Sequence, residues 1–182
     1  MTVNEVIILA ATYLGLEDVV RGYVENGTGD GQETKLFLDC FNLVENEIAL
    51  DYMPLYAEEE INSLTGKVNY NALKRAVVRI MKVTDTNGEL KEYTLFPDCI
   101  KTSPGKMLVR YTYTPEAKYL GENSDFESSV SARLISYGVA AEYATIQGLY
   151  EEASIYDKKY KDALTAAYTV RPCAQIPSRR WV

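Results

Sequence analysis

Among 182 residues there is not one histidine. This absence removes the Ser-His-Asp triad, the Cys-His dyad, the imidazole metal ligand and the imidazole general base in one stroke. Cysteine is nearly as scarce. Cys40, Cys99 and Cys173 are far apart, form no C-x-x-C pair and are odd in number. They indicate neither a disulfide framework nor a zinc site, and synthesis in a reducing cytoplasm is the simplest expectation. Long apolar runs are missing too. The stretch from Val6 to Ala11 has no basic residue before it and is interrupted by Thr12 and Gly15, so it reads as a helix start rather than a signal peptide. No segment nears the roughly 18 apolar residues of a membrane span.

What is present is ordinary in amount and uneven in arrangement. With 47% apolar and 25% charged residues, the chain belongs to the globular class and can bury a core without metal or disulfides, as one domain or one carrying an inserted subdomain. The net charge is −7, but residues 1–66 hold 13 acids against 2 bases, and residues 67–126 hold 10 bases against 7 acids. Residues 127–168 hold 6 acids and 4 bases, and the last 14 residues carry only Arg171, Arg179 and Arg180. An acidic front and a basic tail suggest that one copy's tail meets a complementary surface; a solvated acidic face that keeps the protein soluble is the alternative. The acidic excess argues against tight direct binding of nucleic acid.

Periodicity predicts a short helix from Val3 to Leu14, closed by Gly15, with another turn or two over Glu17 to Val24. Asn26 to Gly31 is a loop by composition; it lacks the GK[ST] ending of a phosphate-binding loop. A long helix is expected from about Glu33 to Met53, with Leu36, Phe37, Cys40, Phe41, Val44, Ile48 and Tyr52 as its buried stripe. Asp39, Glu45, Glu47 and Asp51 lie mainly off that stripe, and Pro54 stops the helix. Between Leu55 and Thr114 the period shortens, giving four or five mostly antiparallel strands in a small sheet or sandwich. Arg75–Thr84 is expected to pair with Leu90–Phe96 across a type I′ turn at Asp85–Gly88. Lys106–Tyr113 is the last strand. After a polar connection, an Ala- and Ser-rich helix ends near Gly148, and Glu151–Ala167 follows with Ile155, Tyr156, Tyr160, Ala163, Leu164 and Ala167 on one face. Small residues, Gly138 among them, are expected to let helices approach closely. The fold class is α+β. Residues 1–54 and 115–168 make a helical bundle of the long helix and a C-terminal helical hairpin, residues 55–114 an inserted antiparallel β subdomain, and residues 169–182 an extended arm.

Candidate chemistry is thin. In an alternating strand Glu58 and Glu60 share one face and Glu59 the other, yet carboxylate catalysis needs a raised pKa in an apolar cleft. Tyr111 and Tyr113 share a strand face and stand as candidates for stacking bases or sugars, although half-buried strand positions favour aromatics anyway. Ser128, Ser129 and Ser131 most simply cap a helix, and Ser103 lies in a turn. No cofactor or metal is required. The tail holds two prolines, the only Trp and an Arg pair, the composition of an interface hot spot rather than of a frayed end, which is the alternative.

In its order of pieces the chain resembles the head-to-tail connector, or adaptor, proteins of tailed bacteriophages. The resemblance is carried by the acidic helix LDCFNLVENEIALDYMPLYAEEEI, the strands VVRIMKVTDTNGE and MLVRYTY, the helical pair SYGVAAEYATIQGLYEEASIYDKKYKDAL and the tail IPSRRWV. It implies a structural virion protein and not an enzyme: a homo-oligomeric ring, usually of twelve subunits, made in the host cytoplasm and placed at the head–tail junction of the virion. The ring would dock on the portal protein, meet tail or neck proteins, and let DNA pass without sequence-specific contact and without a membrane. The docking arm implied is Arg171, Ile176, Pro177, Arg179, Arg180 and Trp181. The simplest family members are mostly helical and lack so large a β insert. The alternative of another class is a β-sheet carbohydrate- or peptide-binding module with helical decoration.

Overall fold

Three helices begin on side chains suited to cap them. In the computed structural model, which describes residues 1–28, 30–126 and 130–169, Thr2 accepts from the Glu5 N–H at 3.2 Å, Asp30 from the Gln32 N–H at 2.9 Å and Ser131 from the Leu134 N–H at 3.2 Å. They open α1 (Val3–Tyr13), α3 (Gly31–Glu47) and α4 (Ala132–Ile146). Helix α2 (Glu17–Asn26) lies between the first two and α5 (Tyr150–Thr169) follows α4. The chain is thus mixed α+β, with five helices and two three-stranded antiparallel sheets among the described residues. None of these helices is long and apolar enough to cross a membrane.

The expected stripe of α3 is buried from Phe37 through Cys40, Phe41 and Val44 to Ile48, while Leu36 and Tyr52 are partly buried. It packs with Val6, Ile7 and Ala10 of α1 and Leu134, Ile135 and Val139 of α4 in one core. Gly138 marks a close approach. A Cβ there would stand 2.7 Å from Val44 Cγ1 and 3.1 Å from the Tyr160 ring, so only glycine lets α4 sit this near both α3 and α5. Tyrosine hydroxyls then tie the helices. Tyr143 donates to Glu33 at 2.5 Å, Tyr156 to the Tyr13 carbonyl at 2.7 Å and Tyr160 to Glu47 at 3.2 Å. Tyr160 and Leu164 of α5 are buried as expected, whereas Ile155 and, on α4, Ile146 are exposed.

The strands pair differently from expectation. β1 (Leu55–Ser63), β3 (Val77–Thr84) and β6 (Gly105–Tyr113) form one sheet in the order β1-β6-β3; β2 (Lys67–Asn69), β4 (Tyr93–Leu95) and β5 (Cys99–Thr102) form the other in the order β2-β5-β4. Residues 90–96 therefore do not return along β3. They touch it at a single Thr84–Leu90 bridge before β4 joins β5. The turn is not type I′ either. Only Gly88 has positive φ, at 86°, and Asn87 does not. Asp85 closes the loop instead, its carboxylate accepting from the N–H groups of Asn87 and Glu89 at 2.9 and 2.8 Å. The inner residues of both sheets, among them Val68, Val83, Ile100, Met107, Val109 and Tyr111, form a second core.

Candidate functional site

Two backbone irregularities converge on one cleft. The first ends α3. Residues Ile48–Tyr52 form a π-helical turn, closed by Met53 N–H on the Ile48 carbonyl at 2.7 Å. The wider turn keeps Ile48, Ala49 and Met53 buried and turns Leu50 outward, and Pro54, with no N–H to give, releases the chain into β1. The second lies in β3, an edge strand of its sheet. Its register on β6 pairs Val77 with Tyr113 but Arg79 with Thr112, and Ile80 with Tyr111 but Lys82 with Arg110. Val78 and Met81 are therefore the extra residues of two β-bulges. Bulging an edge strand blocks further pairing along it, and here it also re-aims two apolar side chains.

Those side chains meet. Ala49, Leu50, Pro54, Tyr56, Val78 and Met81, with Arg79 and Thr112, line a single cleft of about 230 Å³. Leu50 and Tyr56 are each 49% exposed, Val78 48% and Met81 43%. Four large apolar residues half in water around one depression form a contact surface rather than scattered exposure. Pro54 and Tyr56 also line a larger adjoining cleft of about 750 Å³, whose far wall is Lys161, Leu164 and Tyr168 of α5. Around the two clefts the cations Arg79, Lys82, Arg110 and Lys161 outnumber the carboxylates Asp51 and Glu58. The Arg110 guanidinium lies 5.2 Å from the Tyr56 ring centre, and Arg110 stands between Glu58 on β1 and Lys82 on β3. Arg79 and Lys82 have no ion-pair partner among the described residues. Such a surface offers apolar area, an aromatic ring and cations, which suits binding rather than proton transfer. Among the described residues no group of three or more His, Cys, Asp or Glu is placed to hold a metal ion.

A second polar feature lies inside the helices. Glu45 falls on the buried side of α3 and is 1% exposed, contrary to its expected place off the stripe. Its carboxylate accepts from the Ser124 hydroxyl at 2.6 Å and the Asp125 N–H at 2.9 Å, while the other oxygen has no partner. Asp125 in turn pairs with Lys118 at 2.7 Å, and Asn42 exchanges two hydrogen bonds with the Lys118 backbone. Burial pushes the Glu45 carboxyl above its ordinary value, offset only in part by Ser124, the Asp125 N–H and Lys118. These contacts clamp the connection after β6 onto α3. Partners 79 and 80 residues away give no local signal in sequence.

The residues singled out by sequence are scattered. Arg171, Ile176, Pro177, Arg179, Arg180 and Trp181, together with Cys173, lie outside the described residues, as do Ser128 and Ser129. Ser131 caps α4 as expected. Glu58 and Glu60 are on the exposed face of β1, with Glu60 at 3.5 Å from Lys106, and Glu59 is on the opposite face. There Glu59 accepts from the Tyr111 hydroxyl and from the Lys74 N–H, a structural role. Tyr111 is 0% exposed and offers no ring face to a sugar or peptide; Tyr113 is half-buried beneath Arg75. Sequence reasoning missed Val78 and Met81, whose only signal was the broken alternation of VVRIMKV. No protein-family model matches the chain, and no curated protein does so either.

Proposed function

We propose that this chain is a structural subunit of the ring that joins the head of a tailed bacteriophage to its tail, docking on the portal protein and continuing the DNA channel. In this reading residues 1–54 and 115–168 form a helical bundle, the ring wall. The β insert of residues 55–114 faces tail or neck proteins. Residues 169–182 reach the portal through Arg171, Ile176, Pro177, Arg179, Arg180 and Trp181. The ring, a dodecamer in this reading, sits at the head–tail junction of the virion after synthesis in the host cytoplasm. No catalytic step or cofactor is required.

The observation that carries the reading is the charge layout. Residues 1–66 hold 13 acids against 2 bases, while the last 14 residues hold three arginines and no acid. Carboxylates along a channel repel phosphate and let DNA slide, because cations are what hold a polyanion. An Arg pair beside an indole is suited to grip a partner through charge-assisted bonds and buried aromatic area.

Removing residues 171–182 tests the assignment. The truncated chain is expected to keep the circular dichroism of the full chain and to lose attachment to capsids bearing the portal encoded in the same genome. Attachment undiminished by truncation overturns the arm. A full chain that shows neither attachment nor rings on those capsids in negative stain overturns the connector assignment.

A further inference from the structure

We propose that copies of this chain join head to tail, the α4–α5 turn of one copy seated in the bulge-lined cleft of the next. The cleft is one half of the contact. Leu50, Tyr56, Val78 and Met81 surround it half-exposed and Arg79 lines it, while Lys82 follows Met81 on β3; neither cation has an ion-pair partner among the described residues. Lys82 also faces Arg110 directly across β3 and β6. Glu58 faces Arg110 from its other side, so of these two like charges it is Lys82 that has no carboxylate opposite it in the sheet.

The other half is a projecting tip of complementary character. Helix α4 ends at Ile146, Gly148 turns the chain with φ 74°, and α5 starts at Tyr150. Leu149 is exposed, Ile146 more so, and Tyr150 is 73% exposed, the most exposed aromatic ring among the described residues. Glu151 and Glu152 follow at once, with no ion pair among the described residues. Their place in the first turn of α5 suits the helix dipole, but that does not explain three apolar side chains left in water beside them. An acidic apolar knob thus matches a basic apolar hollow.

The two surfaces lie at opposite ends of α3. Gln147 sits with Glu33 and Leu36 at the start of that helix, and Tyr143 bonds Glu33 there. Leu50 lies just beyond its other end, about 20 Å further along at 1.5 Å per residue. Two different, non-overlapping patches define a heterologous contact, which closes into a ring or runs on as a filament. The inference rests on the two surfaces alone; it supplies the subunit contact that the connector reading needs, but does not depend on a portal.

Charge reversal tests it on the full chain by sedimentation velocity from about 1 to 500 µM, a span that covers weak self-association. Arg79→Glu with Lys82→Glu, and separately Glu151→Lys with Glu152→Lys, are each expected to weaken self-association at least tenfold, with unchanged circular dichroism. An equimolar mixture of the two variants restores it, since each mutant surface then meets its complement and each native surface does too. Tyr150→Ala, which leaves every charge in place, also weakens association. A monomeric wild type over the whole range, reversals without effect, or a mixture that stays dissociated each overturns the proposal. So does tighter association of the Arg79→Glu, Lys82→Glu variant, the result expected if the basic segment of residues 170–182 occupied the cleft instead. Portal attachment is read in a different assay, so loss of self-contact and failure of the connector assignment are told apart.

Discussion

Glu45 and Gly138 show how much a single position constrains this protein. Glu45 is buried among helices with one carboxylate oxygen unpartnered, and burial raises its pKa. The folded state therefore holds the Glu45 proton more tightly than the unfolded chain does. Its contribution to stability is full below the ordinary glutamate range and is lost as pH rises through the folded-state pKa. Glu45→Gln keeps an acceptor for Ser124 and the Asp125 N–H and cannot ionise. Urea titrations of both proteins from pH 4 to 8 are expected to show the variant gaining on the wild type as pH rises, by about 1.4 kcal/mol for every tenfold by which folding tightens the Glu45 proton. A constant difference across that range contradicts the assignment. Gly138→Ala is expected to destabilise, because the new methyl would lie 2.7 Å from Val44. Overpacking of about 1–3 kcal/mol outweighs the roughly 1 kcal/mol by which alanine favours a helix, and a lowered Tm with unchanged fold checks it.

At the scale of elements, the helices were legible and the strand pairing was not. Phe37, Cys40, Phe41, Val44 and Ile48 recur at helical spacing and all face one core, so the stripe of α3 follows from local order alone. Strand partners are chosen over long separations. β6 serves both β1 and β3 because Met107, Val109 and Tyr111 alternate without a break, and 90–96 is left to the smaller sheet. Bulges hide for a similar reason. In VVRIMKV, Val78 and Met81 have the composition of core residues, and only the pairing with β6 shows them as extra. The cleft they line was therefore invisible in sequence, just as Glu45 was, with its partners far along the chain. The β3 hairpin supplies a prediction at this scale. Asp85→Ala removes the acceptor of the Asn87 and Glu89 amides, and each lost bond costs about 1 kcal/mol. Hydrogen exchange at those two amides is expected to quicken while the amides of α3 are unchanged; equal protection in the variant means the turn is held by Gly88 alone.

Across the whole molecule, the apolar residues divide into two cores with no member in common. One gathers the five helices α1 to α5, and the other gathers the two sheets. The covalent link between them at the front is short, from the π turn through Met53 and Pro54 into β1, and this is where the cleft opens. Separate cores unfold as separate cooperative units when few apolar contacts bridge them. Met107 is buried in the sheet core, and Met107→Ala is expected to cost about 2–5 kcal/mol there. Native-state hydrogen exchange then distinguishes two outcomes. Protection falls in β1, β3 and β6 and stays unchanged in α1, α3 and α4 if the sheets form their own unit. A parallel fall in the helices shows one cooperative unit instead. The first outcome has a consequence for assembly. Leu50 belongs to the helical side of the cleft, while Val78 and Met81 belong to the sheet side, so a neighbour's turn seated between them would hold the two units together and raise sheet protection on association.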